Sequence, residues 1–160
     1  MDYNAAMQTL LKQEELLVFE RFDSDTALEL GMKIVEEARS MKAERICVDI
    51  CAYGQRMFHF CSSGCSPSND VWADRKRNTV LFSGHSTLHT HCFLASLGES
   101  IQEKWKLDPS QYAQIGGGFP LRLSGNAGVI GSVVYSGFTH EEDHQILVDT
   151  LSKYLNIPLD

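Results

Sequence analysis

No stretch of this 160-residue chain approaches the roughly 20 consecutive apolar residues that span a bilayer. Its opening, MDYNAAMQTLLKQEELL, lacks the basic start and apolar block of an export signal, so a cytosolic protein is expected. Basic residues are also scarce. The 14 Lys and Arg against 21 Asp and Glu leave a formal charge of −7. That balance opposes capture of nucleic acid or of an anionic membrane, since both need a basic footprint. Arg75-Lys76-Arg77 is the local exception. Repeats, low-complexity stretches and flexible linkers are missing as well. With 43% hydrophobic residues, the length suits one domain over 1–160.

Several chemistry-bearing patterns are absent too. The five cysteines (Cys47, Cys51, Cys61, Cys65 and Cys92) are an odd set without an export signal, which points to reduced thiols rather than a disulfide framework. Cys61-Ser-Ser-Gly-Cys65 has three intervening residues where the redox motif has two, and no second cysteine pair completes a Cys₄ metal site. The thiols are therefore read as structural. Gly116-Gly117-Gly118 lacks the spelling of a phosphate-binding P-loop. Ser86 adjoins His85 in sequence, which disfavours the hydrogen bond that activates a serine, and no G-x-S-x-G elbow occurs.

What is present reads as α-β-α-β-β-α-α-β-β-α. A helix over 4–15 precedes a strand over 16–22. Asp23 to Thr26 then offer caps for a helix whose apolar stripe includes Leu28, Ile34, Val35 and Ala38. The β-rich runs 45–51 and 56–61, separated by Ala52-Tyr53-Gly54-Gln55, read as a hairpin. Ser68, Asn69 or Asp70 opens a helix to about residue 83, and Ser86 caps another that Gly98 ends. A largely helical connector spans 100–110. The runs 113–124 and 127–136 form a second strand pair, joined at Gly125-Asn126. Short connections require antiparallel partners, so the expected fold is α/β (α+β), a five-stranded antiparallel sheet with helices on its faces. The triple glycine is expected to permit close approach by a ligand or another chain.

His140-Glu141-Glu142-Asp143-His144 spells H-E-x-x-H, a zinc-hydrolase signature. Thr139 and Glu142, however, have capping-box spacing, which puts the three acidic residues in the first turn of the last helix, where they offset the helix dipole. The acidic spelling thus has a structural cause, and a third zinc ligand would have to come from upstream. His144, one turn further in, is either an ordinary hydrogen-bonded residue or a ligand-orienting imidazole.

Two stretches are specific in combination. GGGFPLRLSGNAGVIGSVVYSGFTHEEDH, over 116–144, resembles the glycine-rich ending of the HbpS/GlcG-like superfamily, the haem-degrading domain. SNDVWADRKRNTVLFSGHS, over 68–86, is similar to the central helix of its uncharacterised protein family 0303 branch. The resemblance runs from about residue 16 to 154. It implies a profilin-like sandwich, symmetric homo-oligomers and, for some members, haem binding. No C-x-x-C-H is present, so haem would be noncovalent.

The positions that match are Trp72, Arg75, Lys76, His85, Ser86 and Gly116, with Gly117, Gly125, Gly137, Glu142, Asp143 and His144. At helical spacing, Trp72, Arg75 and Lys76 share a face suited to a planar anionic ligand, and His85 and His144 are the candidate metal ligands. Packing by Trp72, or pairing of the basic run with Glu142 and Asp143 across subunits, would account for the same residues. The leading expectation is a homo-oligomer that binds a small planar anion, haem or another tetrapyrrole. The alternatives are an oligomeric scaffold without a ligand and a metal-dependent hydrolase using His140 and His144.

Overall fold

The computed structural model describes residues 1–125 and 128–160. Local chemistry sets most element boundaries. Asp2 caps α1 (Tyr3–Leu16), and Asp23 caps α2 (Ser24–Ser40) by accepting from Thr26 N at 2.9 Å. β1 (Cys47–Ala52) and β2 (Gln55–Cys61) are joined through Tyr53 and Gly54, whose φ values of 56° and 75° give the left-handed pair that a tight hairpin needs. α3 (Pro67–Ser83) starts with Pro67 after Ser66, whose N–H is bonded by Asn69. The cap is thus Ser66, two to four residues before the expected position. α4 (Thr87–Leu97) is capped by Ser86 and ends at Gly98, as expected, whereas the connector forms only the short α5 (Ile101–Trp105). β3 (Gly118–Arg122), β4 (Val129–Ser136) and α6 (His140–Leu155) complete the chain, with the Thr139–Glu142 capping box in place.

The sheet has four strands, not five, in the order β2-β1-β4-β3, with every neighbouring pair antiparallel. The expected strand over 16–22 is a correction. α1 continues to Leu16, and the rest makes a single parallel bridge between Phe19 and Leu123 before Asp23 turns the chain into α2. Residues 113–117 also lie outside β3, since Ala113 N donates to Arg75 O on α3 instead of a strand neighbour. Asn126 and Ala127, read as part of a turn and the start of a strand, lie outside the described residues; Gly125 has φ 72°.

The two faces of the sheet differ chemically. Leu30, Ile34 and Ala38 of α2, and Leu147 and Leu151 of α6, cover Val48, Ile50, Val133 and Tyr135 in one aliphatic core. Full burial of each large apolar side chain contributes about 1.5–3 kcal/mol, so this face holds the fold. On the opposite face, beneath α3, β1 presents Cys47, Asp49 and Cys51, and β4 presents Ser132, Val134 and Ser136. α3 therefore covers a polar surface, and the chemistry gathers there.

Candidate functional site

α3 and α6 approach each other where Lys76 reaches across from the middle of α3. Its ammonium donates to Asp143 Oδ2 at 2.9 Å and to Tyr135 O at 3.0 Å. Lys76 is 1% exposed and Asp143 3%. Asp143 Oδ1 also accepts from Phe138 N at 2.7 Å, which fixes the loop entering α6. Burial pushes the Asp143 carboxyl up and the Lys76 ammonium down by more than their mutual attraction restores. Gly117 makes the crossing feasible. At φ 122°, a Cβ there would stand 2.5 Å from both Lys76 Nζ and Tyr135 O.

Beside this pair lies a cleft of about 250 Å³ lined by Arg45, Trp72, Lys76, Ile115, Phe138 and His140, among others. Trp72 is 36% exposed, and the Arg75 guanidinium carbon sits 4.0 Å from its ring centroid. Among the described residues neither Arg45 nor Arg75 has a carboxylate partner, and Arg75 Nε is buried without a hydrogen bond. Lys76, expected to bind a ligand carboxylate, instead spends its charge on Asp143. The tryptophan helix and the opening turn of α6 do share one cleft.

Other candidates lie elsewhere. His85 and Ser86 converge on Glu14 of α1: His85 Nδ1 is 2.9 Å from Oε1, Ser86 N donates to Oε2 at 3.1 Å, and Arg122 Nη1 donates to Oε1 at 3.3 Å. Burial raises the Glu14 carboxyl, but the bonds from His85 and Ser86 outweigh it and the net shift is downward. This cluster borders a separate cleft of about 390 Å³ that includes Leu11, Val18 and Ser124. His85 and Ser86 therefore act as a clamp between α1 and the start of α4.

The expected metal pair His85 and His144 is not brought together as a ligand set. His144 is 2% exposed, its Nε2 lies 2.8 Å from Gln13 Oε1, and burial depresses its pKa to about 4. His140 instead lines the cleft, with Nδ1 accepting from Gly116 N at 3.2 Å and Nε2 3.1 Å from Glu141. Burial lowers its pKa, and His91 and Lys76 add to the effect. Among the described residues no group of three metal-type ligands includes His85, His140 or His144, which removes the geometric basis for the H-E-x-x-H hydrolase. Glu142 is exposed and serves its capping box. The space a Cβ would need at Gly116 and Gly117 is occupied by the chain itself, His140 O and Tyr135 O.

Several participants were not singled out from the sequence. Arg45 lies just before β1 and Ile115 in an irregular run, while Glu14, buried in the fold, and Arg122 look like ordinary polar positions in the sequence. A local signal existed only for Asp49, an acidic residue within the alternating apolar run Ile46, Val48, Ile50. It is fully buried and faces Arg56, His59 and Arg77.

Known proteins agree with this architecture. The family model described as "Haem degrading protein HbpS-like" matches residues 22–152. A UPF0303 protein of Streptomyces avermitilis is 40% identical over 146 residues, covering 91% of this chain and 88% of that one. The crystal structure of the Ybr137w protein superposes with a TM-score of 0.87 at 25% identity, over 94% of this chain and 87% of that chain. The PduOC:Heme complex shares the fold at a TM-score of 0.67 and 20% identity, over 84% and 94%. With the family pattern covering most of its length and a relative this similar almost end to end, the chain belongs to the HbpS-like family of haem degrading proteins.

Proposed function

We propose that the α3/α6 cleft binds a small planar anionic ligand, with a noncovalent tetrapyrrole such as haem as its candidate, and that the protein acts as a homo-oligomer. The observation that carries this reading is Trp72 in the cleft wall together with Arg45, and the Arg75 guanidinium stacked on that indole, two cations without carboxylate partners among the described residues. Such arginines pair with carboxylates, and the indole offers a face to a conjugated ring. A neighbour of the same fold is described as a haem complex, which supports haem in particular.

The cleft also bears on oligomerisation. At about 250 Å³ it falls below the ~300–1,000 Å³ of pockets that enclose a drug-sized ligand, so one protomer would cover only part of a tetrapyrrole. A second copy would cover the remainder. The donor set fits haem: Arg45 in the cleft wall for a carboxylate, Arg75 reaching in from behind Trp72 for the other, Trp72 for the ring and His140 as an imidazole of the lining. Bound iron would supply an electrophilic and redox-active centre.

Titrating purified protein with hemin tests this reading. The Soret band is expected to shift and saturate, with Arg75→Glu weakening binding about tenfold or more through loss of a charged hydrogen bond. His140→Ala should alter the band and His85→Ala should not. An unchanged wild-type spectrum would reject haem. A ligand-free oligomeric scaffold is a second reading, favoured by Val71, Leu81 and Phe82 on α3 and Leu97 on α4, all about half-exposed. Light-scattering mass that collapses in Arg75→Glu, with no ligand retained in native mass spectrometry, would favour it.

A further inference from the structure

Beneath the start of α3, a second group of side chains converges. Cys47 and Cys61 are cross-strand partners, with Sγ atoms 3.0 Å apart. Asp70, in the first turn of α3, brings Oδ1 to 3.3 Å from Cys61 Sγ and 3.8 Å from Cys47 Sγ. His59 lies two residues before Cys61 on the same face of β2. Its Nε2 is 2.9 Å from Asp70 Oδ1 and 3.8 Å from Cys61 Sγ.

We propose that Cys47, Cys61, Asp70 and His59 bind one divalent cation of the zinc class. Tetrahedral zinc, with sulfur at ~2.3 Å and nitrogen or oxygen at ~2.0–2.2 Å, separates its ligand atoms by about 3.3–3.8 Å. The Cys47, Cys61 and Asp70 ligand atoms already stand 3.0 to 3.8 Å apart, whereas His59, close to Asp70 and Cys61 but outside that mutual group, has to turn toward Cys47 to complete the set. Two thiols, an imidazole and a carboxylate suit zinc rather than magnesium or calcium, which take oxygen ligands. On binding, the two thiols release their protons to solvent and the ion takes the thiolate lone pairs.

The surroundings of His59 support the assignment independently. Its Nδ1 lies 3.3 Å from Oδ2 of buried Asp49, which Arg56 and Arg77 also approach. That carboxylate orients the ring as in carboxylate–histidine–metal triads, with the Nδ1 proton toward Asp49 and the Nε2 lone pair toward the cluster. The His59 and Asp70 side chains are 30% and 51% exposed, which leaves a route from solvent, while Cys47 is buried and anchors the site. Four protein ligands close the coordination sphere, so the ion would act structurally, tying the β1–β2 hairpin to α3.

Cobalt(II) added to reduced, untagged protein tests this. Visible tetrahedral d–d bands and a near-ultraviolet thiolate-to-cobalt band are expected, with the latter diminished in Cys61→Ser. Asp70→Asn, at an exposed side chain, should weaken zinc about tenfold or more in competition with a chromophoric chelator. Circular dichroism checks that both variants are folded. Absence of the thiolate band in folded, reduced wild type would overturn the proposal. So would an undiminished band in folded Cys61→Ser, or recovery of Cys47 and Cys61 as a disulfide from protein prepared with reductant.

Discussion

Replacing Lys76 with methionine keeps the length of the side chain and deletes its charge. The change leaves Asp143, 3% exposed, without the ammonium 2.9 Å away, and Tyr135 O without its donor. Phe138 N still bonds the carboxylate, so the loss is partial. Breaking a buried ion pair from one side costs about 3–5 kcal/mol, a large share of the ~5–15 kcal/mol that keeps a typical domain folded. For a chain of this size about 1 kcal/mol lowers Tm by ~2–4 °C, so Lys76→Met should melt about 10 °C below wild type. Lys76→Met/Asp143→Asn removes the orphaned charge and should recover most of that loss. Urea denaturation of the four proteins, followed by circular dichroism, yields the coupling energy directly. A Lys76→Met protein within about 1 kcal/mol of wild type, or single losses that simply add, would refute the claim that this pair joins α3 to α6.

Acid should destabilise the protein through His144. Burial lowers its pKa from 6.5 to about 4, so below pH 6.5 the unfolded chain takes up a proton that the folded one refuses. The associated stability is present above pH 6.5 and lost as pH falls toward 4, on the order of 3 kcal/mol. His144→Gln should flatten this part of the pH profile of urea midpoints, and parallel profiles would contradict it. Gly117→Ala should cost at least ~2 kcal/mol, since φ is 122° and the new Cβ would meet Tyr135 O at 2.5 Å. Gly98→Ala, at φ 66° with open space around it, should cost about 1–2 kcal/mol, so equal melting temperatures for the two variants would show that the close approach at Gly117 is unimportant.

The elements that were legible depend on near neighbours in sequence. Asp23, Ser86 and Thr139 begin helices because each side chain reaches an amide three residues on, and Tyr53-Gly54 closes a hairpin through its own φ values. Trp72, Arg75 and Lys76 were legible as a group because helical spacing puts them on adjoining faces. Their roles were not. Lys76 looked like a ligand cation because its sequence neighbours are basic, and only Asp143, 67 residues away, shows that its charge is already matched. His144 looked available because it lies one turn into the last helix beside acidic neighbours, until Gln13, 131 residues away, met its ring. The segment after α1 read as a strand, yet a strand also needs a partner along its length, and among its residues Phe19 alone forms a bridge.

Capping residues and apolar periodicity determined from sequence alone the order of helices and strands, apart from the strand expected over 16–22, and the antiparallel character of the sheet, while the motifs over 68–86 and 116–144 carried the family resemblance. Each of these depends on interactions within a few residues, or on a pattern that survives without knowledge of distant contacts. Only the tertiary structure decided which charges remain free. Arg45 and Arg75 are left beside Trp72, Lys76 is spent on Asp143, and Cys47, Cys61 and Asp70 converge from two strands and a helix. The physical reason is that the protonation, pairing and reactivity of a side chain follow from burial and from partners that the folded chain brings from far along its length.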